Sequence, residues 1–156
     1  MSSNFVCVVC DIDGTIAHPA IDSDGNVRGW YDYDAVHTDI FDTLVFSLVR
    51  GAQRDFGAHI VFLTARVADS FDVTLQWLKS HLVRYDLVYG RDSSLYHRES
   101  GDDSCDSEYK VNAMNNIVKP KHGHVLIAFD DSPLVVDGLH DAGYKVISVA
   151  DQRNKF

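Results

Sequence analysis

Phe5-Val6-Cys7-Val8-Val9-Cys10 runs without a polar residue into Asp11-Ile12-Asp13-Gly14-Thr15. A continuous apolar run rich in β-branched residues suits a strand covered on both faces, the usual condition of a parallel sheet. The stretch after it reads as a glycine-containing turn in which two carboxylates, one residue apart, can face one point. Two later stretches repeat the plan: His59 to Leu63 predicts a buried strand ending in Thr64-Ala65-Arg66, and His124 to Phe129 one ending in Asp130-Asp131.

Helical spacing fills the intervals. Ile40, Phe41, Leu44, Val45 and Leu48 predict an amphipathic helix capped by Thr38 or Asp39, with Gly57 beyond its end. Phe71, Leu75, Leu78 and Leu82 line one face of a second helix. A short strand is expected over Leu87 to Tyr89, then a polar loop from Gly90 to Cys105. A helix from Asp106 to Val118 follows, stopped by Pro120, and after a helix near Leu134 to His140 a last strand spans Tyr144 to Val149. Alternating strands and helices of these lengths specify a doubly wound, Rossmann-like α/β fold with a parallel sheet covered on both faces. Ligands of such sheets bind outside the carboxyl ends of the strands. Asp11, Thr64 and Asp130 are therefore expected on one rim. Residues 16–36 break the pattern, carry a turn at Asp22-Ser23-Asp24-Gly25-Asn26, and are expected to form only a small flap.

With 156 residues, 46% hydrophobic and 24% charged, the chain is read as one globular domain over 1–156. No apolar run approaches the roughly 20 residues that span a bilayer, and Met1-Ser2-Ser3-Asn4-Phe5 lacks the flank of a signal peptide. A cytoplasmic location without membrane partners is expected. Three cysteines suit a reducing compartment. Cys7 and Cys10 would point to opposite faces of one buried strand, which excludes a shared zinc site and makes them core residues. His122 and His124 read as structural or exposed. The net charge of −9 argues against gripping a long duplex, but not against local handling of a phosphate by a cation and a few arginines.

The rim suits phosphate chemistry. A phosphate ester repels nucleophiles, so its hydrolysis requires positive charge on the phosphoryl oxygens and a positioned attacking atom. Asp11, the backbone carbonyl of Asp13, and Asp130 or Asp131 would make an oxygen cage suited to Mg²⁺. Asp11 can then attack phosphorus to form an aspartyl-phosphate, with Asp13 as general acid and base. Thr64, with backbone amides at the next helix start, would bind a phosphoryl oxygen, and Lys110 would neutralise the remaining charge. Arg28 in the flap offers a phosphate clamp, as do Arg66 and Arg98; Trp30, Tyr31 and Tyr33 offer faces on which a base could stack. Taken singly, each feature is an ordinary turn, cap or surface charge. Their joint occurrence at three strand ends carries the reading.

These residues resemble the haloacid dehalogenase superfamily of phosphotransferases, whose pattern is Asp-x-Asp-Gly-Thr, a strand ending in Ser or Thr, a lysine, and paired acids. The resemblance implies Asp11 as nucleophile, Asp13 as acid and base, and Mg²⁺ as cofactor bound by Asp11, Asp13, Asp130 and Asp131. A narrower similarity is to the 3'-phosphatase domain of phage polynucleotide kinases. It is carried by Arg28-Gly29-Trp30-Tyr31-Asp32, Thr38-Asp39, Thr64-Ala65-Arg66, Arg98-Glu99-Ser100-Gly101-Asp102, and the Asp106 to Lys110 spacing. It implies phosphate or substrate binding by Thr64, Ala65, Arg66, Arg28, Arg98 and Asp106, and action on the 3'-phosphate of a nucleic-acid end or nucleotide. It also implies a separate kinase or ligase partner, because no Gly-x-x-x-x-Gly-Lys-Ser/Thr loop occurs in the chain. The location would be the host cytoplasm if the chain is phage-encoded. Ser104, Cys105 and Ser132 stand where the narrower pattern carries basic residues, which leaves a small-molecule 5'(3')-nucleotidase as the alternative and a non-catalytic phosphate-end binding module as a third reading. A homo-oligomer stays open.

Overall fold

The computed structural model describes residues 5–29 and 31–150. The central strand β1 (Val6–Cys10) leads into a flap bounded by β2 (Ala17–His18) and β3 (Ile40–Phe41), two short strands that pair antiparallel. α1 (Thr43–Phe56), β4 (His59–Val67), α2 (Phe71–Leu82) and β5 (Ser93–Arg98) follow. α3 (Asp106–Ala113), α4 (Lys119–His122), β6 (His124–Asp130), α5 (Pro133–Asp141) and β7 (Val146–Ser148) complete the described elements. The main sheet has the order β5-β4-β1-β6-β7 with every pairing parallel, which is the doubly wound α/β architecture expected.

Strand side chains alternate between faces, and β1 divides accordingly. Val8 and Cys10 join Phe46, Phe62, Trp77 and Leu78 under α1 and α2, while Cys7 and Val9 join Leu63, Met114, Val118 and Leu139 under α3 and α5. Burying one such side chain as Phe62 stabilises the fold by about 1.5–3 kcal/mol. Burial pushes the Cys7 thiol up to about 12 and the Cys10 thiol in the same direction, so both are inert core residues. Because neighbours of β1 are filled to one side by β4 and to the other by β6, the crevice beyond β1 and β6 is the topological switch point.

Four expectations are corrected. The edge strand is Ser93–Arg98 rather than Leu87–Tyr89, of which only Tyr89 forms an isolated bridge, to Ser93. An edge strand pairs on one side only, so a polar stretch with Leu95 and Tyr96 as its apolar members suffices. Second, Pro120 does not stop the third helix. The chain passes through a π-helical turn at Met114–Val118 into α4, where Pro120 occupies the first turn and its missing N–H is not needed. Gly123 ends it at φ +83, where a Cβ would overlap the Phe5 carbonyl.

Third, α1 is capped by Asp42, which accepts from Val45 N at 3.0 Å. Ile40 and Phe41 belong to the β2–β3 ribbon, so the buried positions of α1 are Phe46 and Val49 while Leu44 and Leu48 are exposed. Fourth, β4 continues beyond Leu63 through an irregularity to Val67, and α2 begins only at Phe71. Both ends of the expected flap are rooted, with Ile16 and Val36 fully buried. At its tip Asp22 accepts from the amides of Asp24 and Asn26. Trp30 lies outside the described residues.

At the opposite end of β4, His59 and His122 stack with centroids 4.7 Å apart, and they hydrogen-bond to the Ser94 and Tyr96 hydroxyls at 2.9 and 2.7 Å. Burial lowers both imidazole pKa values, His122 being lowered further by its neighbours His59 and Lys121. The fold thus favours the neutral rings, whereas imidazoles of the unfolded chain take up a proton below about 6.5. Their contribution is full above that pH and is lost as pH falls from it through the lowered folded values. The stability advantage of wild type over His59→Gln/His122→Gln, read from urea midpoints, is expected to shrink between pH 7.5 and 5.5; a widening advantage would contradict the assignment.

Candidate active site

The parallel register of β1 with β6 pairs Cys10 with Phe129, and Asp11 N donates to the Phe129 carbonyl at 3.0 Å. Asp11 and Asp130 consequently emerge side by side at the switch point. Lys110 reaches them from α3, its Nζ donating to Asp11 Oδ1 at 2.6 Å and Asp130 Oδ2 at 2.7 Å. Thr15 Oγ1 donates to Asp11 Oδ2 at 2.9 Å. The turn that returns Thr15 to Asp11 depends on Gly14 at φ +78, where a Cβ would overlap the Asp131 carboxylate. All three charged groups are deeply buried, with Asp11, Lys110 and Asp130 at 6%, 4% and 2% exposure.

One carboxylate oxygen from each of Asp11, Asp130 and Asp131 lies within 4.8 Å of the other two. Burial pushes the Asp11 pKa up to about 7, the Lys110 ammonium opposing and the Asp131 charge adding to the rise. Asp130 is pushed up to about 6 by burial and by the Asp11 charge, and burial also raises Asp131. Burial alone would lower the Lys110 pKa, but Asp11 and Asp130 outweigh it and hold the ammonium charged above its usual range. Three carboxylates thus share one cation and are short of positive charge. An all-oxygen donor set of this kind fits a hard divalent cation.

Beside the cluster, Arg66 binds Asp13 through both oxygens, Nε to Oδ2 at 2.8 Å and Nη2 to Oδ1 at 2.6 Å, while its Nη1 donates to Thr74 Oγ1. Asp39, from the flap, binds Arg28 through Nε and Nη2, both at 2.8 Å, and reaches Arg66 at 3.3 Å. Arg28 Nη2 lies 3.4 Å from Asp13 Oδ1. Trp77 Nε1 fixes the Asp39 backbone at its carbonyl. Opening above these groups is a cavity of about 500 Å³ lined by Asp11, Asp13, Lys110 and Asp131, with Tyr31, Tyr33 and Arg98 among its other walls. Arg98 is held by Asp106 Oδ1 at 2.6 Å and by the Ala65 and Ser104 carbonyls, and lies over the Tyr109 ring at 4.8 Å.

Residues 6–154 match the family described as the polynucleotide kinase PNKP phosphatase domain. The chain belongs to this family. It is a phosphatase of the haloacid dehalogenase type. A "putative bifunctional polynucleotide kinase/RNA ligase" of Autographa californica nuclear polyhedrosis virus is 31% identical over 130 residues, 83% of this chain but 17% of that protein. Two solved chains of the Pnkp1/Rnl/Hen1 complex, one described as an RNA repair complex, share the fold with TM-scores of 0.73 and 0.74. Their identities are 23% and 21%, with 93% and 97% of this chain and 42% and 48% of theirs covered. The chain spans less than half the length of each of these relatives.

Within this PNKP-type phosphatase the geometry groups the expected residues unequally. Asp11, Lys110, Asp130 and Asp131 cluster, and Asp13, Arg66, Arg98 and Asp106 share the cavity wall with Ala65. The Asp13 carboxylate belongs to the arginine network and not to the cluster of Asp11, Asp130 and Asp131. Arg28 stands behind Asp13, paired with Asp39 rather than lining the cavity. Thr64 is 1% exposed, accepts from Arg66 N at 3.1 Å, and has no helix start beside it, because β4 runs on to Val67. Asp39 was expected as a cap, and the Thr38-Asp39 match to the narrower pattern was the signal for its site position, where it holds Arg28 and reaches Arg66. Thr15 closes the Asp-x-Asp-Gly-Thr motif but was given no role of its own, and Thr74 carried no signal in the sequence. Among the described residues no helix is long and apolar enough to cross a membrane.

Removing one partner of a buried ion pair leaves the other charge uncompensated at a cost of about 3–5 kcal/mol. Lys110→Met is therefore expected to lower the unfolding free energy by that order in metal-free buffer, measured by urea titration; unchanged stability would show that the carboxylates do not depend on the ammonium.

Proposed function

We propose that this chain removes the 3'-phosphate from nucleic-acid ends or nucleotides through an aspartyl-phosphate on Asp11, within a single phosphatase domain over 1–156. The observation that carries this reading is Asp11 held between Lys110 and Thr15 at the floor of a cavity whose wall presents Asp13. Asp11, Asp130 and Asp131, with Asp13 contributing its backbone, would hold Mg²⁺. When bound, the cation supplies positive charge against the phosphoryl oxygens.

Lys110 and Thr15 orient the Asp11 carboxylate, which attacks phosphorus as the bond to the leaving oxygen breaks. Asp13 delivers its proton to that oxygen. Water then attacks phosphorus of the aspartyl-phosphate, Asp13 takes the proton from the water, and Asp11 is released as phosphate leaves. Arg66 and Arg28 position Asp13 as the carboxylate that takes the proton from water; as the acid, it gives up one of these bonds so that the freed oxygen carries the proton. Lys110 offsets the charge that develops on the transferring group, and Arg98, steadied by Asp106, with Ala65, Arg66 and Thr64, forms the phosphate-binding side.

The preference for a 3'-end rests on the flap and Arg98 segments and on the family. A separate kinase or ligase partner is consistent with the baculovirus relative, whose name joins those two activities. The small-molecule nucleotidase reading is favoured by the net charge of −9. Phosphate release from 3'- and 5'-phosphorylated oligonucleotides and mononucleotides separates them: preference for the 3'-phosphate is expected, and preference for 5'-mononucleotides would overturn it. Asp11→Asn is expected to abolish turnover with an unchanged circular dichroism spectrum, and Asp13→Asn to lower kcat about 10²- to 10⁴-fold. Mg²⁺ is expected to raise the wild-type Tm, a shift that Asp130→Asn would diminish.

A further inference from the structure

The cations of the cavity are already engaged. Among the described residues that line it, the cations are Arg66, Arg98 and Lys110, exposed by only 6%, 6% and 4%. Arg66 is paired with Asp13, Lys110 with Asp11 and Asp130, and Arg98 with Asp106. Besides the four aspartates at the floor and inner wall, the lining includes Asp102, Asp103 and Asp106 from the segment after β5. Seven carboxylates against three cations leave a formal charge of −4, and a divalent cation reduces the deficit only to −2. A terminal phosphate can still be received beside that cation. Further phosphodiesters would meet Asp102, Asp103 and Asp106 without a free lysine or arginine in the lining.

The flap adds a different kind of surface. Tyr31 also lines the cavity, yet the residue is 83% exposed and its ring meets Tyr33 edge to face with centroids 6.4 Å apart. A ring so little covered contributes little to the core, and its open face can receive a nucleobase. Base–aromatic stacking accepts any base, because every base has a π-face.

We infer that the substrate is read through its terminal nucleotide alone, the base stacking on Tyr31 while the acidic wall denies added affinity to a longer chain. The inference rests on the 3'-phosphatase reading and specifies its substrate class: 3'-phosphorylated mononucleotides and short ends are handled as well as long strands. Nucleic-acid grip by several phosphate contacts would instead lose affinity steeply with salt.

The test measures kcat/KM on 3'-phosphorylated substrates of one, two, four and about twelve nucleotides, between about 50 and 200 mM salt. A 3'-phosphorylated abasic deoxyribose serves as the base-free comparison, and Tyr31→Ala and Tyr31→Phe are assayed beside wild type. Values within about threefold across lengths are expected, with a salt slope no steeper than the roughly −0.7 of one single-strand phosphate contact. Wild type is expected to favour the mononucleotide over the abasic substrate about five- to hundredfold, mainly in KM. Tyr31→Ala should erase that preference and Tyr31→Phe retain it. A tenfold or greater rise with length, a steeper slope, or a preference surviving in Tyr31→Ala would overturn the inference while leaving the 3'-phosphatase reading intact. Release from 5'-mononucleotides with none from any 3'-phosphorylated substrate would overturn both.

Discussion

One buried ammonium organises this molecule. Lys110 is withdrawn from water between Asp11 and Asp130, and the desolvation of such charges costs several kcal/mol per ion. Apolar residues of similar volume would fill the space at less cost to stability. The arrangement joins α3 to the ends of β1 and β6 and sets the carboxylate of Asp11 in one orientation. Its chemical value lies in the imbalance it leaves. With Asp131 nearby, the cluster stays short of positive charge, and that deficit is what a hard cation and a lysine can jointly meet when a phosphate arrives.

The second polar network does for Asp13 what Lys110 does for Asp11. Arg66 comes from β4, Arg28 and Asp39 from the flap, so the bonds that fix Asp13 also tie the flap to the sheet. Two aspartates one residue apart thereby occupy different electrostatic settings: Asp11 stands among carboxylates and one ammonium, and Asp13 among guanidinium groups. The single turn thus gives its two carboxylates different partners, Asp11 beside Asp130 and Asp131 and Asp13 on the cavity wall in the grip of guanidinium groups.

Much of this was legible in sequence where burial on both faces imposed a simple pattern. The valine-rich β1, the His59 strand and the strand ending at Asp130 were readable, and the convergence of Asp11 with Asp130 followed from strand ends in a parallel sheet. Edges and irregularities were not. β5 has few apolar residues because only one of its flanks is paired, and the π-turn before Pro120 leaves no periodic signature. The helix start expected beside Thr64 is absent because the irregularity in β4 delays the next helix to Phe71. Asp39 illustrates a different limit: the Thr38-Asp39 pair reads both as a cap and as part of the narrower pattern, and only the packed structure reveals the two arginines converging on it.

Covalent phosphorylation of Asp11 is open to direct test by chemical trapping. Wild-type enzyme would be quenched in acid during turnover of a 3'-phosphorylated nucleotide with Mg²⁺, treated with borohydride, and mapped by mass spectrometry. Reduction of an acyl phosphate predicts homoserine at position 11 and at no other aspartate. Unmodified Asp11 in enzyme quenched at full turnover, with net inversion at a chiral phosphorus, would contradict the account and assign the attack to water.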